Sequence, residues 1–205
     1  MMHVRRFPLG FAVLGLLFAT ARVHATTVIQ PTFEQLVGSS DYIVRATVKS
    51  VDSEWRENPA KPGQRYIGTK VTLEVSEVIK GTPPSPLVLD LVGGRVGEEE
   101  LTVEGAPKFH AGDENVLFVR GNGTNFFPLT GMMHGYFGVS RDARTGASQM
   151  VRYDGRLLYN AGELEPTATT TSSIRSAQDR PMTPESFRDR IQQQQNDITS
   201  REKLR

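Results

Sequence analysis

The chain has 205 residues, 38% of them hydrophobic and 23% charged, with a formal net charge of +1 and no cysteine. The absence of cysteine excludes a disulfide framework, a thiolate nucleophile and any cysteine-based metal site. Stability must therefore come from a hydrophobic core, for which the length is ample.

Arg5 and Arg6 precede an apolar run from Phe7 to Ala21, and Val23-His24-Ala25 puts a small residue at a cleavage position. This pattern predicts a secretory signal peptide over residues 1–25 and a mature chain that starts at Thr26. The run is short for a membrane span of about 20 residues, so no stable membrane insertion is expected after cleavage. Losing Arg5, Arg6 and Arg22 and no acid leaves 21 basic against 23 acidic residues, a net charge of −2. A slightly acidic exported chain lacks the electrostatic footprint for nucleic acid or an anionic membrane. Export without disulfides, behind an Arg-Arg start, fits a bacterial envelope, and the expected location is periplasmic or extracellular.

Thr32 with Gln35 has the spacing of a capping box, and Phe33, Leu36 and Val37 form one apolar face of a short helix. Two long strand-type segments follow, Tyr42–Val51 and Val71–Gly81. In each, apolar residues alternate and then slip by one, from Val48 to Val51 and from Val75 to Val78. A period-two face survives such a slip only if the strand bulges, so the sheet is expected to coil as a small barrel does. Residues 52–68 between them, with Pro59, Pro62 and Gly63, read as a long loop carrying the single tryptophan, Trp55.

Leu87–Val92 reads as a third strand, Gly93–Gly97 as a glycine-rich turn, Leu101–Val103 as a fourth strand and Asn115–Arg120 as a fifth. Segments 126–129, 135–140, 149–153 and 156–159 are further strand candidates, with a hairpin turn over Asp142–Gly146. Asn122-Gly123-Thr124 reads as a turn. The β domain is thus expected to span residues 26–160. Residues 161–181, with a run from Thr167 to Ser173 that is all Ser/Thr apart from Ala168, read as a flexible linker. Thr183-Pro184 then opens a helix over residues 182–205, whose apolar stripe is only Phe187, Ile191 and Ile198.

The order helix, Asp-Tyr-Ile-Val-x-Ala-x-Val at 41–48, loop, Val-x-Leu-x-Val-x-x-Val-Ile-Lys-Gly at 71–81 and a leucine-rich strand resembles the OB-like barrel of the netrin-module and tissue-inhibitor-of-metalloproteinases group. With Gly93-Gly94, Gly105-x-Pro107-x-Phe109-x-x-Gly112 and Val116-Leu117-Phe118, residues 32–140 resemble uncharacterised exported bacterial proteins on that plan. The resemblance implies a mainly β fold: a small OB-like barrel with a short N-terminal helix and a tethered C-terminal helix. Inhibitors of that group hold the protease zinc with an N-terminal cysteine, which this chain lacks, so their action does not carry over. The barrel type implies binding on one sheet face and through the loops between strands 1 and 2, here residues 52–68, and between strands 4 and 5.

Trp55, Arg56, Arg65 and Tyr66 in the 52–68 segment have the composition of a binding hot spot for an envelope or extracellular protein. The competing reading is a tryptophan that folds back to cap the barrel. Met132-Met133-His134, with His110 as the next histidine, is the best soft-metal candidate, and two methionines before a glycine read first as core filling. Glu98–Glu100 and Asp113-Glu114 lack a cation-loop spacing, and Gly93–Gly97 lacks the Lys-Ser/Thr of a phosphate loop. No Gly-x-Ser-x-Gly elbow exists, no catalytic residue is assigned and no cofactor is expected. The function read from these residues is a non-catalytic binding or accessory module of the cell envelope. The alternative is an envelope hydrolase or metal-dependent enzyme using His110 or His134. Intact mass of protein exported from a bacterial host should correspond to a chain starting at Thr26; recovery only with residues 1–25 attached would refute the signal assignment.

Overall fold

A computed structural model describes residues 29–166 and 179–204. The expected signal peptide and the linker from 167 to 178 lie outside these residues. Helix α1 is Phe33–Ser39 and helix α2 is Pro184–Lys203. The strands are β1 Tyr42–Glu57, β2 Arg65–Lys80, β3 Leu87–Val92, β4 Gly94–Val96, β5 Glu99–Leu101, β6 Glu114–Val119, β7 Tyr136–Arg141 and β8 Ser148–Arg152. The fold is mainly β, as expected. Among the described residues no helix is long and apolar enough to cross a membrane.

Both helices start where their local chemistry predicts. Thr32 and Thr183 each accept from the backbone three residues on, and Gln35 and Ser186 reach back to the capping residues. The end of α1 is closed from elsewhere. Lys80 on β2 donates to the carbonyls of Val37 (2.6 Å), Gly38 (3.1 Å) and Ser40 (2.8 Å), which would otherwise lack partners.

One antiparallel sheet has the order β3-β2-β1-β6-β7-β8, and β4 pairs with β5 apart from it. On β1 the pairing with β2 skips Lys49: Val48 faces Leu73 and Ser50 faces Thr72. On β2 it skips Ser76 and Ile79. The slips read from sequence are therefore bulges. Before Lys49 the even-numbered Val44, Ala46 and Val48 enter a core; after it the odd-numbered Val51 and Ser53 lie on that side, opposite Val71 and Thr69. On β2 the expectation fails at Val78, which is 49% exposed while Ile79 turns into the opposite core.

The sheet is buried on both faces at β6 and the start of β1. Val116 and Phe118 of β6 pack with α1, α2, Phe137 and Met150, whereas Leu117 and Val119 pack with Val44, Leu73 and Leu89 on the concave side. Phe187 of α2 lies 4.9 Å from the Phe137 ring and 6.0 Å from that of Phe118. Together with Ile191 it is fully buried, so α2 is a packed layer of the fold rather than a loosely held helix. Arg45 of β1 adds ion pairs to Glu114 (2.5 Å) and to Glu185 (2.8 Å) at the start of α2.

Several expectations are corrected. Only residues 58–64 connect β1 to β2; most of the 52–68 segment is paired strand, with Trp55 opposite Ile67 and Arg56 opposite Tyr66. The expected turn at 93–97 contains β4, and the strand expected at 101–103 is β5, at Glu99–Leu101. Segments 126–129 and 156–159 contribute only the single bridges Leu129–Val119 and Leu157–Val151. The start of the expected linker, Ala161–Leu164, is a 3₁₀ turn that buries Ala161 and Leu164 in the helix-side core.

No strand pairing joins the edges β3 and β8. The Asn122 carboxamide instead occupies the β3 edge, donating to Val88 O (2.7 Å) and accepting from Asp90 N–H (3.2 Å) as a neighbouring strand would. Replacing Asn122 by alanine should cost about 1 kcal/mol of unfolding free energy in urea titration. Phe187→Ala should cost about 3–5 kcal/mol, the range for deleting a fully buried aromatic ring; a smaller loss than for Asn122→Ala would refute the packed-helix description.

Candidate functional site

A cleft of about 300 Å³ opens between the concave face of β1–β2–β3, the β4–β5 hairpin and the 102–110 loop. Val51, Val71, Leu91, Val103, Phe109 and Phe127 supply most of its apolar wall. The Lys49 bulge is what brings Val51 here, 38% exposed because it faces the opening rather than a packed neighbour. Phe109 is held by an edge-on contact to Tyr136, with ring centroids 5.4 Å apart. Burial pushes the Tyr136 phenol up to about 12, with the Asp113 charge adding to the effect, so it stays protonated at neutral pH.

The floor is polar. Ser53 on β1 and Thr69 on β2 face each other, their hydroxyl oxygens 2.8 Å apart, and Thr69 Oγ1 donates to the carbonyl of Gly93 at 2.5 Å. A hydroxyl has one proton, and that of Thr69 is used on Gly93; Ser53 must then be the donor between the two. Gly94 lies directly above, with φ +129°, where a Cβ would collide with both hydroxyl oxygens. This glycine is needed on both counts: backbone conformation and close approach. The hydroxyl chain fastens the root of the β4–β5 hairpin to the β1–β2 ribbon.

The rim carries charge. Arg95 pairs with Glu100 across β4 and β5, and Lys108 is exposed with no ion pair among the described residues. His110 Nδ1 lies 3.1 Å from Asp113 Oδ2, and its side chain is 72% exposed. Asp113 also accepts from the His110 backbone N–H at 3.2 Å, so the pair is first of all a turn.

The residues expected from the 52–68 segment divide between two faces. Trp55 and Arg65 share one side of the hairpin, the Arg65 guanidinium 5.0 Å from the indole centroid. Trp55 lies two residues beyond Ser53 on β1, on the cleft side, but does not line the cleft. Arg56 and Tyr66 sit one residue out of phase and face away. Arg56 pairs with Asp90 and with Glu54 at 3.3 Å, and lies flat on Gly68, where a Cβ would come within 2.6 Å of Nε. It is a strut of the sheet.

The possible soft-metal residues are not gathered. Met132 packs on the concave core, and Met133 lies against Gly105. His134 is buried edge-on against Tyr153 at 5.1 Å, in a small cavity separate from the cleft that His110 lines. Among the described residues no three histidine, aspartate or glutamate side chains converge as a metal group would. The sequence reading missed Ser53, Thr69 and Gly94. The one available signal was the Gly93-Gly94 doublet after a strand, which marks close backbone approach.

Compared with models of known families and with curated protein sequences, the chain matches none. Any functional reading rests on the geometry above.

Burial, reinforced by the Arg152 charge and opposed by Asp154, holds the His134 imidazolium below its usual value of 6.5. The unfolded chain therefore takes up this proton first as pH falls through about 6.5, and stability drops until the folded histidine also titrates. Urea midpoints should fall between pH 7.5 and 5.5 more in the native chain than in His134→Gln. Equal falls would show that His134 is not the group responsible.

Proposed function

We propose that the protein is an exported, non-catalytic binding module of the bacterial cell envelope that seats its ligand in the cleft under the β4–β5 hairpin. The observation that carries this reading is the cleft itself: mostly apolar, edged by a few polar groups and of the size of a small-molecule site. We read the sheet as a partly open OB-like barrel of the plan that the netrin-module group uses. In support, bulged β1 pairs with both β2 and β6, and Asn122 covers the β3 edge. The face of its second and third strands, where OB folds bind, supplies Thr69, Val71 and Leu91 to the cleft.

The enzymatic alternative has one feature in its favour, the His110–Asp113 pair at the cleft rim. A hydrolase would also need a nucleophile whose proton that histidine could take. The Ser53 proton is directed at Thr69, a hydroxyl rather than a base. A non-catalytic role accounts for the same residues without an unused nucleophile.

Val51→Trp would fill the cleft from an exposed position on β1. Binding of the apolar dye 8-anilinonaphthalene-1-sulfonate, followed by its fluorescence, should weaken about tenfold or more while the urea midpoint stays near that of the native chain. Undiminished dye binding by a folded Val51→Trp protein would remove the cleft as the site.

A further inference from the structure

We infer that the cleft selects small apolar ligands that carry a hydrogen-bond donor, a hydroxyl or an N–H group, and that Ser53 Oγ is the acceptor that reads it. The inference rests on the proposed binding role of the cleft and specifies its ligand chemistry. It follows from proton order along three atoms. The Gly93 carbonyl can only accept, so Thr69 Oγ1 donates to it at 2.5 Å. Thr69 then has no proton left for Ser53, and the 2.8 Å contact between the hydroxyls requires Ser53 to donate. The Ser53 oxygen keeps acceptor capacity and has no proton to offer. Ser53 and Thr69 both line the cleft.

The order is held by the fold. Ser53 and Thr69 are directly opposite on β1 and β2, and Gly94 packs closely against one side of both hydroxyls. Rotating the Ser53 hydroxyl toward a ligand would break its bond to Thr69, and reversing the chain would leave the Gly93 carbonyl without that donor. A ligand that presents only an acceptor to the floor therefore meets lone pairs, whereas a donor completes the chain. The surrounding Val51, Val71, Leu91 and Phe109 take the apolar body of either ligand equally. At the floor, discrimination thus falls on the contact to Ser53.

Matched probes test this: 2-naphthol and its methyl ether, the same ring system with and without the donor proton. Titrated calorimetrically against the full chain, 2-naphthol should bind about fivefold more tightly, the factor for one net hydrogen bond. In Ser53→Ala the two should bind within about twofold of each other. Thr69→Val frees the Ser53 proton, and there the methyl ether should gain relative to 2-naphthol. Circular dichroism and urea midpoints establish that each variant is folded. Equal binding of both probes to the native chain, or an unchanged preference in folded Ser53→Ala, overturns the inference while leaving the cleft as a binding site. If neither probe binds the native chain, both the inference and the cleft reading fall.

Discussion

Lys49 has no residue opposite it in the β1–β2 register, and the consequences of that one bulge run through the molecule. Upstream of it, β1 sends Val44, Ala46 and Val48 into the concave core and Ile43 into the core beneath the helices. Without the bulge the alternation would continue in phase, and Val51 and Ser53 would point away from the concave side. With it, the distal half of β1 keeps facing the same interior, and the wall and floor of the cleft become continuous with the core. The bulge also adds twist, which lets the ribbon curl over its own face.

The same economy governs the ends of the sheet. β3 and β8 do not pair, and an exposed β3 edge would offer unpaired backbone groups to any passing strand. Asn122 fills that place because a carboxamide has the donor and acceptor of a peptide group. On the other face, β6 carries apolar residues on both sides, so the helix layer and the concave core share one central strand. Phe187 and Ile191 matter for this reason. They cover the outer side of a strand whose inner side already supports the cleft.

Much of this is legible in the sequence. Thr32 with Gln35, and Thr183 with Pro184, mark helix starts because capping depends on groups three residues apart. The β1 slip was readable because apolar residues on a half-buried strand report its phase directly, whereas on β2 the exposed Val78 misreported it. The distal hairpin was not. Trp55, Arg56, Arg65 and Tyr66 are all large and partly polar, and nearby prolines imitate a loop, so alternation gave no contrast there. Nor did three apolar residues reveal that α2 is packed, since Phe187 gains its burial from Phe118 and Phe137, far away in the chain.

By itself the sequence determined the mainly β character, the two helix starts and the bulge of β1, all of them consequences of short-range chemistry. Where the bulge sends Ser53, and that it meets Thr69 and the Gly93 carbonyl, only the tertiary structure decided. The reason is physical. A hydroxyl's role is set by which neighbours already claim its proton, and those neighbours come from separate strands whose register no local pattern encodes.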